Sequence, residues 1–118
     1  MTDKEMLELA AKAAGICLEW PSLPDIYPRD LATHRPWNPL ADDGDALRLA
    51  VKCVLLMDAD AQCAMQQERY GDQIGDWCDG EPDNDECARM RRAIVRASAE
   101  IGRAMDRVLL ACNRWRHE

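Results

Sequence analysis

Apolar positions recur at helical spacing in three stretches of the chain, and each stretch carries its own start signal. In the first, Leu7, Ala10, Ala11 and Ala14 follow Thr2 and Glu5, a pair three residues apart that can cap each other's backbone N–H groups, and Gly15 supplies a stop. The second has Leu47, Ala50, Val51 and Val54 as its expected apolar face, with Asp42, Asp43 and Asp45 at the positive end of the helix. The third begins after Pro82, Asp83 and Asn84 and holds the most regular pattern. Cys87, Met90, Ile94, Ala97, Ile101, Ala104, Val108, Ala111 and Trp115 alternate spacings of three and four, which predicts one apolar seam along a long helix.

Between the second and third helices the period changes. An apolar run meets Asp58-Ala59-Asp60, and then Cys63 and Met65 alternate with polar neighbours, so a hairpin is expected over Cys53 to Met57 and Ala61 to Gln67. Met, Ala and Gln are also good helix formers, which leaves two short helices as the alternative. The expected class is therefore α+β: an N-terminal helix, a middle helix, a small antiparallel hairpin and a long C-terminal helix packed on them, with an all-α arrangement as the other possibility.

Two segments break every periodicity. Residues 16–40 contain prolines at 21, 24, 28, 36 and 39, each of which removes a backbone donor, so this is expected to be mostly loop. Long loops are often functional, which makes Trp20 and Tyr27 candidate partner-binding residues, while Trp37 is expected to close the loop over the core. Residues 70–86 hold three glycines and seven acids with no base, and are expected to form an exposed loop. Asp72, Asp76, Trp77, Asp79, Glu81 and Asp83 in it are candidates for meeting a basic partner.

The length of the final helix changes the picture. About 30 residues at ~1.5 Å each would span ~45 Å, whereas a compact domain of this size is roughly 35 Å across. The helix should bend near Gly102 or pack its far end on another chain, and Met105, Leu109, Leu110 and Trp115 are the expected self-association residues of a homodimer. On another face Arg89, Arg96 and Arg103 are spaced by seven, with Glu86 and Glu100 three residues before an Arg, so this face is expected to be solvated and paired with itself.

Composition narrows the function classes. The 118 residues suit one domain, and Lys, Arg, Asp or Glu interrupts every apolar run short of a membrane span. The N-terminus reads as an amphipathic helix and not as a secretory signal, so a cytoplasmic location is expected. The net charge of −7 is uneven: residues 1–83 carry seven Lys/Arg against 17 Asp/Glu, while residues 84–118 carry eight Arg against five acids. The overall sign disfavours direct nucleic-acid binding, which needs a positive field, and suits a basic protein surface.

Candidate chemistry is sparse. There is no glycine-rich phosphate loop, nucleophile elbow or HExxH pair, and His34 and His117 lack a setting that suggests a general base. Six cysteines at 17, 53, 63, 78, 87 and 112 include no C-x2-C pair, and in a reducing compartment they are expected to act mainly as small hydrophobes. Asp79, Glu81, Asp83 and Asp85 alternate as calcium ligands do. Asn84 stands where such a loop needs Gly, however, and Met90 where it needs Glu. Neither an enzyme nor a cofactor is expected.

Three stretches, LELAAKAAGI at 7–16, WNPLADDGDALRLAVK at 37–52 and RRAIVRASAEIGRAM at 91–105, resemble small accessory proteins of tailed phages and prophages. They cover 41 of the 118 residues. The resemblance implies a phage or prophage origin and an α+β architecture, and it carries over no catalytic residue. It implies no activity; accessory proteins of this size and charge often act by binding a host protein, so a non-enzymatic protein of the host cytoplasm that inhibits or modulates a host complex is expected. Antagonism of a CRISPR-type defence, by an acidic surface competing with nucleic acid, is the most specific expectation. A structural phage component built on the long helix, and a cysteine-based redox or metal protein, are the alternatives.

Overall fold

The structure, a computed structural model, describes residues 2–21, 27–58, 63–66, 78–79 and 85–116, with side chains through residue 107 in the last segment. Helix α1 spans Asp3–Ala14. Its capping box forms as the sequence predicts: Glu5 N–H donates to Thr2 Oγ1 (3.2 Å) and Thr2 N–H to Glu5 Oε2 (3.4 Å). Gly15 ends the helix with φ 72°. That left-handed conformation costs glycine no clash between Cβ and backbone.

The proline-rich segment is mostly loop, but it contains two short paired strands, β1 (Leu18–Glu19) and β2 (Arg29–Asp30). Beyond β2 the chain reverses through a turn that brings Arg35 and Pro36 back beside it. Trp37 N–H donates to the Pro28 carbonyl (2.8 Å), and the Trp37 ring is buried at 5% exposure, closing the segment over the core as expected.

Helix α2 spans Asp43–Cys53 with Asp42 as its N-cap. Its buried face is Ala46, Leu49, Ala50 and Cys53, which corrects the face expected from periodicity. Leu47 and Val51 are 57% and 69% exposed. Val54 lies beyond the helix as a left-handed cap, φ 53°. The error has a simple origin: residues 46–57 are nearly all apolar, so two helical stripes fit the sequence and only the docking of α2 on the core selects one.

The turn at Val54 leads directly into an antiparallel sheet of β3 (Leu55–Asp58), β4 (Cys63–Gln66) and β5 (Cys78–Asp79), in the order β3-β4-β5. The expected hairpin is present with shifted ends, because Cys53 closes α2 and does not open a strand. Its register pairs Leu56 with Met65 and Met57 with Ala64. The strand at Cys78–Asp79 corrects the expectation that 70–86 is loop throughout. Backbone pairing with β4 suffices to order a two-residue strand there, despite the glycines and acids around it.

Helix α3 spans Glu86–Arg116 without a break at Gly102. Its 31 residues make it the axis of the described elements, with α1 and α2 on one side and the sheet on another. The longest extent of the molecule, 52 Å, is close to the ~46 Å length of such a helix. Ile94, Ala97 and Ile101 of the expected seam are buried, while Cys87 at its start is exposed. Ala93, Val95, Ser98 and Ala99 are buried as well. A two-sided environment buries more of the circumference than the single seam of a coiled coil. No described helix is long and apolar enough to cross a membrane.

Candidate interaction surface

The three acids that open α2 are held by local structure. Asp42 Oδ2 accepts from Asp45 N–H (2.8 Å), and Asp45 Oδ2 accepts from Asn38 N–H (2.9 Å). Arg48 Nη2 donates to Asp45 Oδ1 (2.7 Å). Asp43 pairs with Arg91 (2.5 Å), whose Nε also donates to the Leu40 carbonyl (2.9 Å). A carboxylate with such partners serves as a cap and strut for the helix start. Among the described residues no group of three or more His, Cys, Asp or Glu is arranged to hold a metal ion.

The aromatic candidates of the proline-rich segment separate. Trp20 is half-buried against the core, with Lys4 Nζ 5.2 Å from its ring centroid, and lines a cleft of about 420 Å³ with Glu8, Lys12 and Cys17. Tyr27 is 54% exposed and lies on the rim of a different cleft, about 810 Å³, between this segment and α2. Arg35, Asp45, Arg48 and Lys52 line that cleft, with Trp37 on its wall. His34 is exposed on the turn after β2 at φ 58°, its N–H donating to the Asp30 carbonyl (2.8 Å).

Of the acidic candidates, Asp72, Asp76, Trp77, Glu81 and Asp83 lie outside the described residues, and Asp79 is placed by its backbone in β5. Met105 is 41% exposed on α3. Leu109, Leu110 and Trp115 belong to the last turns of the same helix, with side chains outside the described residues.

Among the described residues, several cations of the C-terminal third are paired within the molecule. Arg91 faces Asp43 and, at 3.7 Å, Asp85. Arg92 holds Asp3 at the start of α1 (3.1 Å), and Lys12 near its end pairs with Asp106. Arg103 pairs with Glu100 (3.6 Å), as the spacing of that face predicts. The Arg91–Asp43 and Arg92–Asp3 pairs set cations of α3 against the first residues of both shorter helices, where helix dipoles favour negative charge. In sequence, residues 58–86 carry ten Asp/Glu and one base, Arg69.

Sequence reading missed a run of exposed apolar residues. Seven large hydrophobic residues are exposed among the described ones, and four of them, Leu47, Val51, Leu56 and Met57, fall within eleven consecutive positions. Leu47 and Val51 are one turn apart on the outer side of α2, and Leu56 and Met57 stand on β3, which begins one residue past Val54. Grouped apolar exposure of this kind marks interaction surfaces more often than scattered single residues do. The only advance signal was an excess of apolar residues over what one helical face can bury.

Among the described residues three thiols are free, with Cys17 and Cys87 exposed and Cys53 buried. Burial pushes the Cys53 thiol above its ordinary 9.0, and the nearby Ser98 hydroxyl opposes that shift as a weaker dipole. Ser98 Oγ is itself buried without a partner at hydrogen-bond geometry, so the contact is electrostatic and loose. A buried, protonated thiol is a poor nucleophile and a poor metal ligand. The chain matches no protein family, no curated protein and no solved structure.

Proposed function

We propose that the chain is a non-enzymatic accessory protein that docks on a basic surface of another protein, and that its target is a host complex whose normal ligand is nucleic acid. The observation that carries this reading is the set of exposed apolar residues Leu47, Val51, Leu56 and Met57, which the most acid-rich stretch, residues 58–86, follows directly in sequence. Apolar contact gives such a surface its affinity, and the net negative charge of the chain favours a positive partner and speeds encounter. The grooves that hold nucleic acid are positive, so an acidic protein seated there excludes the polyanion. Phage or prophage origin belongs to the same reading on the strength of the sequence resemblance, and host cytoplasm as the site of action and antagonism of a CRISPR-type defence complex belong to it because small acidic accessory proteins often act by binding host proteins.

The test uses purified CRISPR-type effector complexes and measures both association with this protein and binding of labelled target DNA. The expected result is a stoichiometric complex that weakens as salt rises and in which DNA binding is lost. Association with no effector, or association that leaves DNA binding intact, contradicts the reading.

A further inference from the structure

We propose that the cleft between the proline-rich segment and α2 binds a small organic anion, a carboxylate or phosphate carried on a flat, apolar body; this site is distinct from the docking surface and does not rest on it. The cleft encloses about 810 Å³, inside the range of about 300–1,000 Å³ that small-molecule sites occupy. Trp37 and Leu49, 5% and 1% exposed, form its wall with Ile16 and Pro36, and Tyr27 stands at the rim with 54% of its surface open. Such a wall, with one accessible ring beside it, suits a flat body that can stack.

The polar groups decide the sign of the ligand. Three acids, Asp30, Asp42 and Asp45, and three bases, Arg35, Arg48 and Lys52, line the cleft. The acids are already engaged: Asp30 Oδ1 accepts from Ala32 N–H (2.9 Å), Asp42 Oδ2 from Asp45 N–H (2.8 Å), and Asp45 Oδ2 from Asn38 N–H (2.9 Å). Arg48 is taken up by Asp45 and Asp42, at 2.7 Å and 3.7 Å. The Arg35 guanidinium and the Lys52 ammonium have no carboxylate partner among the described residues. Asn38, 7% exposed, accepts from Leu40 N–H through Oδ1 (3.2 Å), and its side-chain nitrogen has no partner among the described residues.

Apart from the Tyr27 phenol, which can play either part, the lining side chains left with hydrogen bonds to make are these donors, two of them charged. A carboxylate or phosphate is the acceptor that matches them. Equal numbers of acids and bases also spare the cleft the excess negative charge of the whole chain, −7, which would otherwise repel an anion. On α2, Asp45, Arg48, Leu49 and Lys52 recur at helical spacing and share the flank beside the cleft, whereas Leu47 and Val51 stand on another. A ligand in the cleft therefore leaves Leu47 and Val51 open.

The experiment uses the full chain and two pairs of probes, adenosine monophosphate with adenosine and naphthoate with its neutral amide. Affinity is read by calorimetry, and the location by NMR shifts of backbone amides. The proposal expects at least one anion to bind at least tenfold more tightly than its uncharged counterpart, with shifts at Tyr27, Arg35, Asn38 and Lys52. Binding of only one anion identifies its head group as the one selected. Arg35→Gln with Lys52→Gln, both exposed positions, should weaken binding at least tenfold with unaltered circular dichroism, while Lys4→Gln, a cation lost beside the other cleft, should leave it unchanged. Equal binding of the uncharged counterparts, unchanged binding by the double variant, or shifts confined to the cleft at Trp20 and Lys12 overturns the proposal. Failure of both anions to bind at millimolar concentration overturns it as well.

Discussion

Gly102, midway along α3, lies directly against the backbone of Leu9 in α1. A Cβ built on Gly102 would overlap the Leu9 carbonyl oxygen and lie 2.8 Å from its carbonyl carbon. The two helices touch main chain to main chain at this point, with Arg92 and Asp3 tied on one side of the crossing and Lys12 and Asp106 on the other. In an ordinary helix interior, Gly to Ala stabilises by roughly 0.5–1 kcal/mol. Here the sign should reverse: Gly102→Ala is expected to destabilise by about 1–3 kcal/mol, because the helices must part. Urea denaturation of the two proteins checks this, and a stabilised alanine variant would remove the close crossing.

The two faces of α2 should respond oppositely to mutation. Leu49 is 1% exposed, and Leu49→Ala should cost about 2–5 kcal/mol. Leu47→Asp with Val51→Asp, on the outer side, should change stability by no more than about 0.5 kcal/mol each. The same pair should weaken partner docking at least tenfold. Denaturant midpoints and effector-complex titration read the two effects separately.

Val54 is a β-branched residue in the left-handed region, where an L side chain carries a strain of about 1–2 kcal/mol. Val54→Gly relieves that strain but gives up a half-buried side chain and some chain rigidity. The expected outcome is neutral to about 1 kcal/mol more stable. A clear loss of stability in thermal unfolding would show that the Val54 side chain matters more than its backbone.

The state of Cys53 sets an alkaline limit to stability. Its thiol pKa is raised in the fold, so above 9.0 the unfolded chain releases a proton that the folded one retains. The contribution is fully present below pH 9.0 and declines as pH rises through the folded value. In alkylation mapped by mass spectrometry at pH 8, Cys17 and Cys87 should react quickly and Cys53 only at the rate of unfolding. Early modification of Cys53 would contradict its burial.

Elements specified by neighbouring residues were legible in the sequence. The Thr2 and Glu5 box, the Gly15 stop and the Asp42 cap each depend on side chains within a few positions of the backbone they satisfy, and all three form as expected. What depended on distant packing was not legible. The inner face of α2 is chosen by contact with the core, and β5 exists because β4 offers it a partner. Arg91 and Arg92 likewise gave no sign that they would reach Leu40, Asp43 and Asp3, about 50 and 90 residues away in sequence. The exposed apolar residues at 47–57 stayed hidden because exposed and buried leucines look alike until the helix has docked.

The central claim is that this chain meets its partner through the exposed apolar residues of α2 and β3. The most direct measurement is amide and side-chain footprinting of the protein alone and in its effector complex. The account predicts protection at residues 47–58, with the cleft beside Tyr27 and Arg35 unchanged. Protection at that cleft with residues 47–58 as open as in the free protein would contradict it.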